Sequence, residues 1–172
     1  MADEPAAQLL IYVVDTSALV DLRRDYPLRT FGPLWQRFAD LAGAGRVIAP
    51  EEVRYELADR EDELKAWATR VPGLFYPTAS PLLARLAAVL RDTPDSLQIG
   101  RLYDADPWVV ALALELREAE AQKLFGQEVV ILTHEAPADP LKRPHIPDVA
   151  RKYRLRCVRL RHVFDAEPWE GH

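Results

Sequence analysis

Four carboxylates in this 172-residue chain, Asp15, Glu56, Asp106 and Glu135, each stand at the end or on the side of a segment whose pattern predicts a regular element. Acids gathered in an apolar cleft repel one another and coexist only with protons or hard divalent cations. An all-oxygen set suits Mg2+ or Mn2+, and two such ions about 4 Å apart would activate a water and steady the leaving oxygen of a phosphodiester. Ser17, two residues after Asp15, adds a hydroxyl able to meet a metal-bound water or a phosphate. Helix capping competes with this chemistry. An acid followed by hydroxyls, as in Asp15-Thr16-Ser17, or by proline, as in Asp106-Pro107, is also what a helix start requires.

The elements that must position these acids are legible in the apolar patterning. Leu9 to Val14 is a continuous, β-branched run, expected for a strand buried on both faces in a parallel sheet. Asp15 would then lie at its carboxyl end, the edge where ligands bind in open α/β sheets. Glu128 to Thr133 has the same character and ends in Thr133, His134 and Glu135. Two such strands separated by helices predict an α/β fold with parallel strands, so Asp15 and Glu135 become neighbours by topology.

Between them the spacing predicts helices over 18–24, 31–42 and 81–90, and another after Pro50 continuing into 62–69, with short strands at 46–49 and 74–76. In the helix after Pro50, Glu52 and Glu56 lie four apart and share one side, while Val53 and Leu57 occupy the neighbouring buried side. The charged run from Glu56 to Glu63 otherwise reads as a solvated face. Asp106 precedes a helix, VVALALEL, that is apolar nearly all round, which places its start inside the fold. A short helix at 147–153, a strand at 156–160 and a turn at 162–165 complete one domain over 9–165. Residues 1–8 and 166–172 read as short tails.

Composition narrows the function classes. A hydrophobic content of 49% supports a globular core. No apolar run approaches bilayer length and the start MADEPAAQ is acidic and short, so a cytoplasmic protein with no membrane span is expected. The single cysteine, Cys157, forms no internal disulfide and reads as a small core residue. A net charge of −5 argues against a protein that coats nucleic acid indiscriminately. The eight bases and one acid between Lys142 and Arg161 nevertheless make that segment +7 and the remainder −12. A basic stripe beside an acidic cluster is what a nuclease needs, with a solvated face as the alternative.

No loop of the GxxxxGK[ST] or GxGxxG kind is present, and Ser17 stands where a DxDxT phosphohydrolase has its second acid. His134 and His145 have no nucleophile partner and read as loop or packing residues.

The four acidic segments, in order, resemble those of PIN domains, the fold of VapC-like toxin ribonucleases. YVVDTSALV resembles the family's opening motif, with Asp15 at the first acid and Ser17 at its hydroxyl. PEEVRYEL resembles the second, with Glu56 at the acid, and ADPWVVALA the third, with Asp106 at the central acid. ILTHE resembles the strand carrying the fourth, where the family usually has Asp and this chain has Glu135. Asp104, Asp139 and Asp148 are alternatives for that ligand. The spacing of the second motif and the late basic segment resemble a less characterised PIN-like branch.

The resemblance implies a three-layer α/β/α fold with a central parallel sheet. It also implies a Mg2+ or Mn2+ dependent endoribonuclease, with Asp15, Glu56, Asp106 and Glu135 as metal ligands and Ser17 assisting. RNA as substrate, an antitoxin protein as partner and a homodimer follow from the same likeness. The competing expectation is a PIN-like module without catalysis that binds RNA or a partner protein.

Overall fold

The computed structural model describes residues 9–59, 63–96 and 104–167. Its centre is strand β1 (Leu10–Val14), in which every residue is buried. Successive strand side chains point to opposite faces, so a strand with no exposed residue must be covered on both sides. The chain supplies that cover from the helices that follow and separate the strands.

The order is α1 (Thr16–Asp25), α2 (Gly32–Gly43), β2 (Val47–Pro50), α3 (Glu51–Ala58), α4 (Glu63–Arg70), β3 (Phe75–Tyr76) and α5 (Ser80–Asp92). A single 3-10 turn at Pro94–Ser96 follows, then α6 (Asp106–Ala121), β4 (Glu128–Leu132), α7 (Ile146–Lys152), β5 (Arg156–Val158) and α8 (Leu160–Ala166). The five strands form one sheet in the order β3-β2-β1-β4-β5. Every pairing is parallel. The fold is therefore α/β, with a central parallel sheet between helical layers, as the strand patterning leads one to expect.

Register sets the functional edge. Leu10 pairs with Glu128 and Val14 with Leu132, so β1 and β4 end level. The ladder runs one step further, with the Asp15 amide donating to the Leu132 carbonyl at 3.0 Å and the Thr133 amide to Val158 at 3.1 Å. Residues 15 and 133 thus leave the sheet side by side.

The helices owe their places to one buried face each. On α2, Trp35, Phe38, Leu41 and Ala42 are buried at three- and four-residue spacing. Trp35 meets Trp67 of α4 edge to face, with ring centroids 4.8 Å apart. Helix α6 differs, because six consecutive residues from Val109 to Leu114 are buried. It packs against α5, α7 and strands β1, β2 and β4. Its amino terminus consequently lies inside the fold.

Several boundaries differ from expectation for identifiable reasons. Helix α1 begins at Thr16 rather than Ala18, because Asp15 caps it. Strand β5 stops at Val158, and Leu160 opens α8 where a continuing strand and a turn were expected. Leu160 and Val163 are both buried, a helical spacing that a strand pattern conceals over so few residues. Pro50 closes β2 instead of opening α3. The expected terminal tail 1–8, the end of the other tail and the charged residues 60–62 lie outside the described residues.

Glu167, just beyond the predicted domain end, fixes α8 to the sheet. Its carboxylate accepts from Tyr12 of β1 at 3.0 Å and from Arg46 at 2.8 and 2.5 Å. Burial, then the Glu167 charge, raises the Tyr12 phenol above its ordinary range.

Candidate active site

The carboxyl edge of β1 and β4 carries a connected set of polar groups. Asp15 is 3% exposed, a burial that an acid tolerates only with hydrogen-bond donors or a counter-charge. Its Oδ2 accepts from the Ser17 hydroxyl at 2.5 Å, the Thr133 hydroxyl at 3.0 Å and the Ser17 amide at 3.3 Å. The last of these is the helix cap. Capping and site therefore coincide in one carboxylate, since a buried acid needs donors and the first turn of α1 supplies them.

Ser17 also accepts from the His134 amide at 3.0 Å, and its hydroxyl lies 3.3 Å from that of Thr133. Thr133 in turn accepts from the Glu135 amide at 3.1 Å. Two hydroxyls thus join the ends of β1 and β4. Glu135 is held from the other side by the Ile146 amide, which donates to its Oε2 at 2.9 Å.

Glu56, on α3, accepts from the Thr16 hydroxyl at 2.5 Å through Oε2 and from the Ala105 amide at 3.1 Å through Oε1. The second bond ties α3 to the start of α6, one residue before Asp106. Glu52 was expected on the same solvent side as Glu56, but it is itself buried at 9% exposure. Burial pushes its carboxyl up. Glu56 remains at the border between core and solvent.

Asp106 is the first residue of α6, and its side chain makes no cap. The cap expected of it is absent because Ala105 precedes the helix in αR geometry. Instead its Oδ2 accepts from Arg143 at 2.9 Å, and the same guanidinium lies 3.7 Å from Asp104.

Electrostatics shows that these acids feel one another. Burial lifts Asp15 to about 6, and the charges of Glu135 and Glu56 add to the shift against the hydrogen bonds from Ser17 and Thr133. Burial, then Glu135, Asp15 and Asp104, lifts Asp106 to about 7, and Arg143 offsets only part of this. Glu135 and Asp104 thus both face Asp106. The other two alternatives serve local structure. Asp139 accepts from the Leu141 amide within its own turn. Asp148 accepts from the Ala138 and His145 amides at the start of α7, and Arg151 lies 4.0 Å from it.

The donor set is compatible with a hard dication. Asp15 Oδ1, Asp106 Oδ1 and Glu135 Oε1 accept no hydrogen bond from the described residues, and burial and neighbouring acids hold Asp15 and Asp106 above their ordinary range. Among the described residues, however, no group of three or more acid, imidazole or thiol side chains is placed so as to hold a metal ion, and Arg143 occupies the Asp106 side of the cluster. Glu56 has both oxygens engaged, so its evident work is to hold Thr16 and the start of α6.

Three residues of this edge escaped the sequence reading as individuals. Thr133 was legible as a hydroxyl past a strand, but its reach to Asp15 depends on the β1–β4 register. Arg143 and Arg159 were counted in the basic segment, and nothing in that run distinguishes them from solvated neighbours. His134 fills the structural role expected, its ring paired with Asp21 of α1. His145 likewise places Nδ1 2.8 Å from the Ala136 carbonyl.

A parallel α/β sheet with buried acids at its carboxyl edge defines a domain whose ligand site is expected at the strand ends. The chain belongs to the family described as a domain of unknown function, DUF4411, whose model matches residues 12–170. No curated protein matches it. Among the described residues, no helix is long and apolar enough to cross a membrane.

Proposed function

We propose that the chain is a PIN-like, Mg2+ or Mn2+ dependent endoribonuclease. The observation that carries this reading is the meeting of Asp15, Asp106 and Glu135, from three separate elements, at one edge. Burial and then neighbouring carboxylates, Glu135 among them, hold Asp15 and Asp106 above their ordinary range, and each of the three acids has one oxygen that accepts no hydrogen bond from the described residues. A dication held by these oxygens would supply Lewis acidity and a water of lowered pKa for phosphodiester hydrolysis.

The chain's own residues have separable tasks in this reading. Ser17 and Thr133 fix the Asp15 carboxylate through Oδ2 and keep Oδ1 directed away from the protein donors. Glu56 holds the amide of Ala105 and so sets the position of Asp106. Glu135 is oriented by the backbone of Ile146. Arg143 lies beside Asp106, close enough to transfer its guanidinium to a phosphate oxygen once the acid is otherwise neutralised. An antitoxin partner and a homodimer belong to the same proposal.

Replacing Asp15 by Asn tests it. The variant retains the fold by circular dichroism and loses RNA cleavage in Mn2+; equal cleavage by wild type and variant would exclude the mechanism. A second reading, a PIN-like module without catalysis that binds RNA or a partner protein, draws on the Arg143–Asp106 pair, which puts a built-in cation where an ion would sit. Calorimetric titration with Mn2+ separates the two. Absence of a binding heat and of a thermal shift favours the module.

A further inference from the structure

A cleft of about 580 Å3 is lined by residues of β5, an edge strand of the sheet, and by Thr133 and Glu135. Arg156, Arg159, Arg161 and His162 are its bases, with Asp165 as its other acid and prolines, Cys157 and Val158 between them. These bases are not equivalent. Arg156 is chelated by both oxygens of Glu128, at 2.9 and 3.1 Å. Arg161 pairs with Asp165 at 3.7 Å, but the two side chains are 91% and 70% exposed, so water screens the pair and it opens at little cost.

Arg159 stands apart. Its Nη1 donates to the carbonyl of His134 at 3.2 Å, and among the described residues no carboxylate lies within ion-pair distance of it. A neutral acceptor fixes the guanidinium in place and leaves its charge unspent. The carbonyl that holds it belongs to the residue between Thr133 and Glu135. Arg159 is thus anchored to the same short segment that carries the acid cluster.

Resting on the nuclease reading above, we propose that this cleft seats the single strand of RNA to one side of the scissile phosphate, with Arg159 on the adjoining phosphate and Arg161 on the next. The charge layout favours this occupant. Most of the protein is acidic and repels a polyanion, so a strand reaching the acid cluster gains by following a path on which Arg159 donates to a neutral acceptor and Arg161 is held only by a solvated pair. Among the described residues no strand pairs with the outer edge of β5, which therefore also offers backbone groups to an extended peptide, but its flanking bases match a phosphate chain better.

Fluorescence anisotropy of a labelled single-stranded RNA on the Asp15→Asn chain in Mn2+ tests the assignment. Arg159→Gln weakens binding about tenfold and lowers the salt slope by about 0.7, the release expected for one phosphate contact to a single strand. Arg161→Gln, at a fully solvated position where folding is not at risk, lowers the slope by a similar amount. In the otherwise wild-type chain the loss in cleavage falls on KM. Binding that neither substitution alters overturns the cleft assignment whether or not RNA is cut, as does preference for a labelled acidic peptide over RNA. Arginine-dependent binding without cleavage by the wild-type chain overturns the catalytic reading alone and supports the cleft.

Discussion

The guanidinium of Arg143 lies 2.9 Å from the carboxylate of Asp106 and 3.7 Å from that of Asp104, so the loop after β4 delivers a positive charge to the first turn of α6. The pair is largely shielded, with the arginine 22% and Asp106 13% exposed. Removing one member of such a pair leaves the other uncompensated. Arg143→Gln is expected to lower the stability of the metal-free protein at pH 8 by about 1–3 kcal/mol in urea unfolding. The same variant should bind Mn2+ more tightly by calorimetry, since the ion no longer competes with a resident cation.

Acidity gives a second test. Asp106 is held at about 7 and Asp15 at about 6 by burial and by their acidic neighbours, well above their unfolded values. For an acid whose folded pKa is raised, the folded state binds more protons, so stability falls as pH rises from the unfolded pKa to the folded one. Asp106→Asn removes that titration. Its unfolding free energy in EDTA, relative to wild type, should therefore increase between pH 4 and pH 8, by about 4 kcal/mol. A difference independent of pH would show that Asp106 carries no such strain.

Thr133 offers a smaller perturbation. Its hydroxyl donates to Asp15 and accepts from the Glu135 amide, joining two acids that belong to different strands. Thr133→Val keeps the shape and leaves both groups short of a partner, at a cost of about 1–3 kcal/mol. Thr133→Ser restores the hydroxyl. On the nuclease reading, cleavage is lost with Val and recovered with Ser, a pattern that a purely steric role would not give.

Glu167 is 2% exposed in its side chain and bonded by both oxygens to Arg46. Glu167→Ala strands that guanidinium and the Tyr12 hydroxyl together. Chemical denaturation should register a loss of about 3–5 kcal/mol.

Cys157 sits beside the acid cluster, and burial followed by the charges of Asp15 and Glu135 pushes its thiol up to about 11. Thiolate is the reactive form. Alkylation by iodoacetamide at pH 8 should accordingly be far slower in the folded protein than in urea.

How much of this could be read from residues alone depended on the range of the interactions involved. The parallel sheet was legible because LIYVV and, after Glu128, VVIL carry no charged residue and are buried throughout, a pattern that two-sided burial explains. Asp15 and Glu135 could be placed on one edge by topology, and the structure gives them a direct electrostatic interaction. The role of Asp106 was half visible: Asp-Pro announces a helix start, but whether the acid caps the helix or turns towards Arg143 depends on the backbone of Ala105. Arg143 and Arg159 lay beyond reach, because one basic residue among eight acquires meaning only from the carboxylate or carbonyl it meets across the fold. Helix α8 was missed for a related reason, since Leu160 and Val163 signal a helix only once the end of β5 is known.

The central strand leaves the ribosome well before its partner on one side, β4, which begins at Glu128. A nascent chain therefore carries Asp15 and Glu56 long before Asp106 and Glu135 exist, and the sheet that aligns them cannot close until β4 has been made. Long-range parallel pairing of this kind assembles late. Translation thus keeps the two halves of the acid cluster apart by construction. Fragments divided between α5 and α6 would each hold half of it, and recovery of Mn2+ binding on mixing them would serve as a split reporter of association.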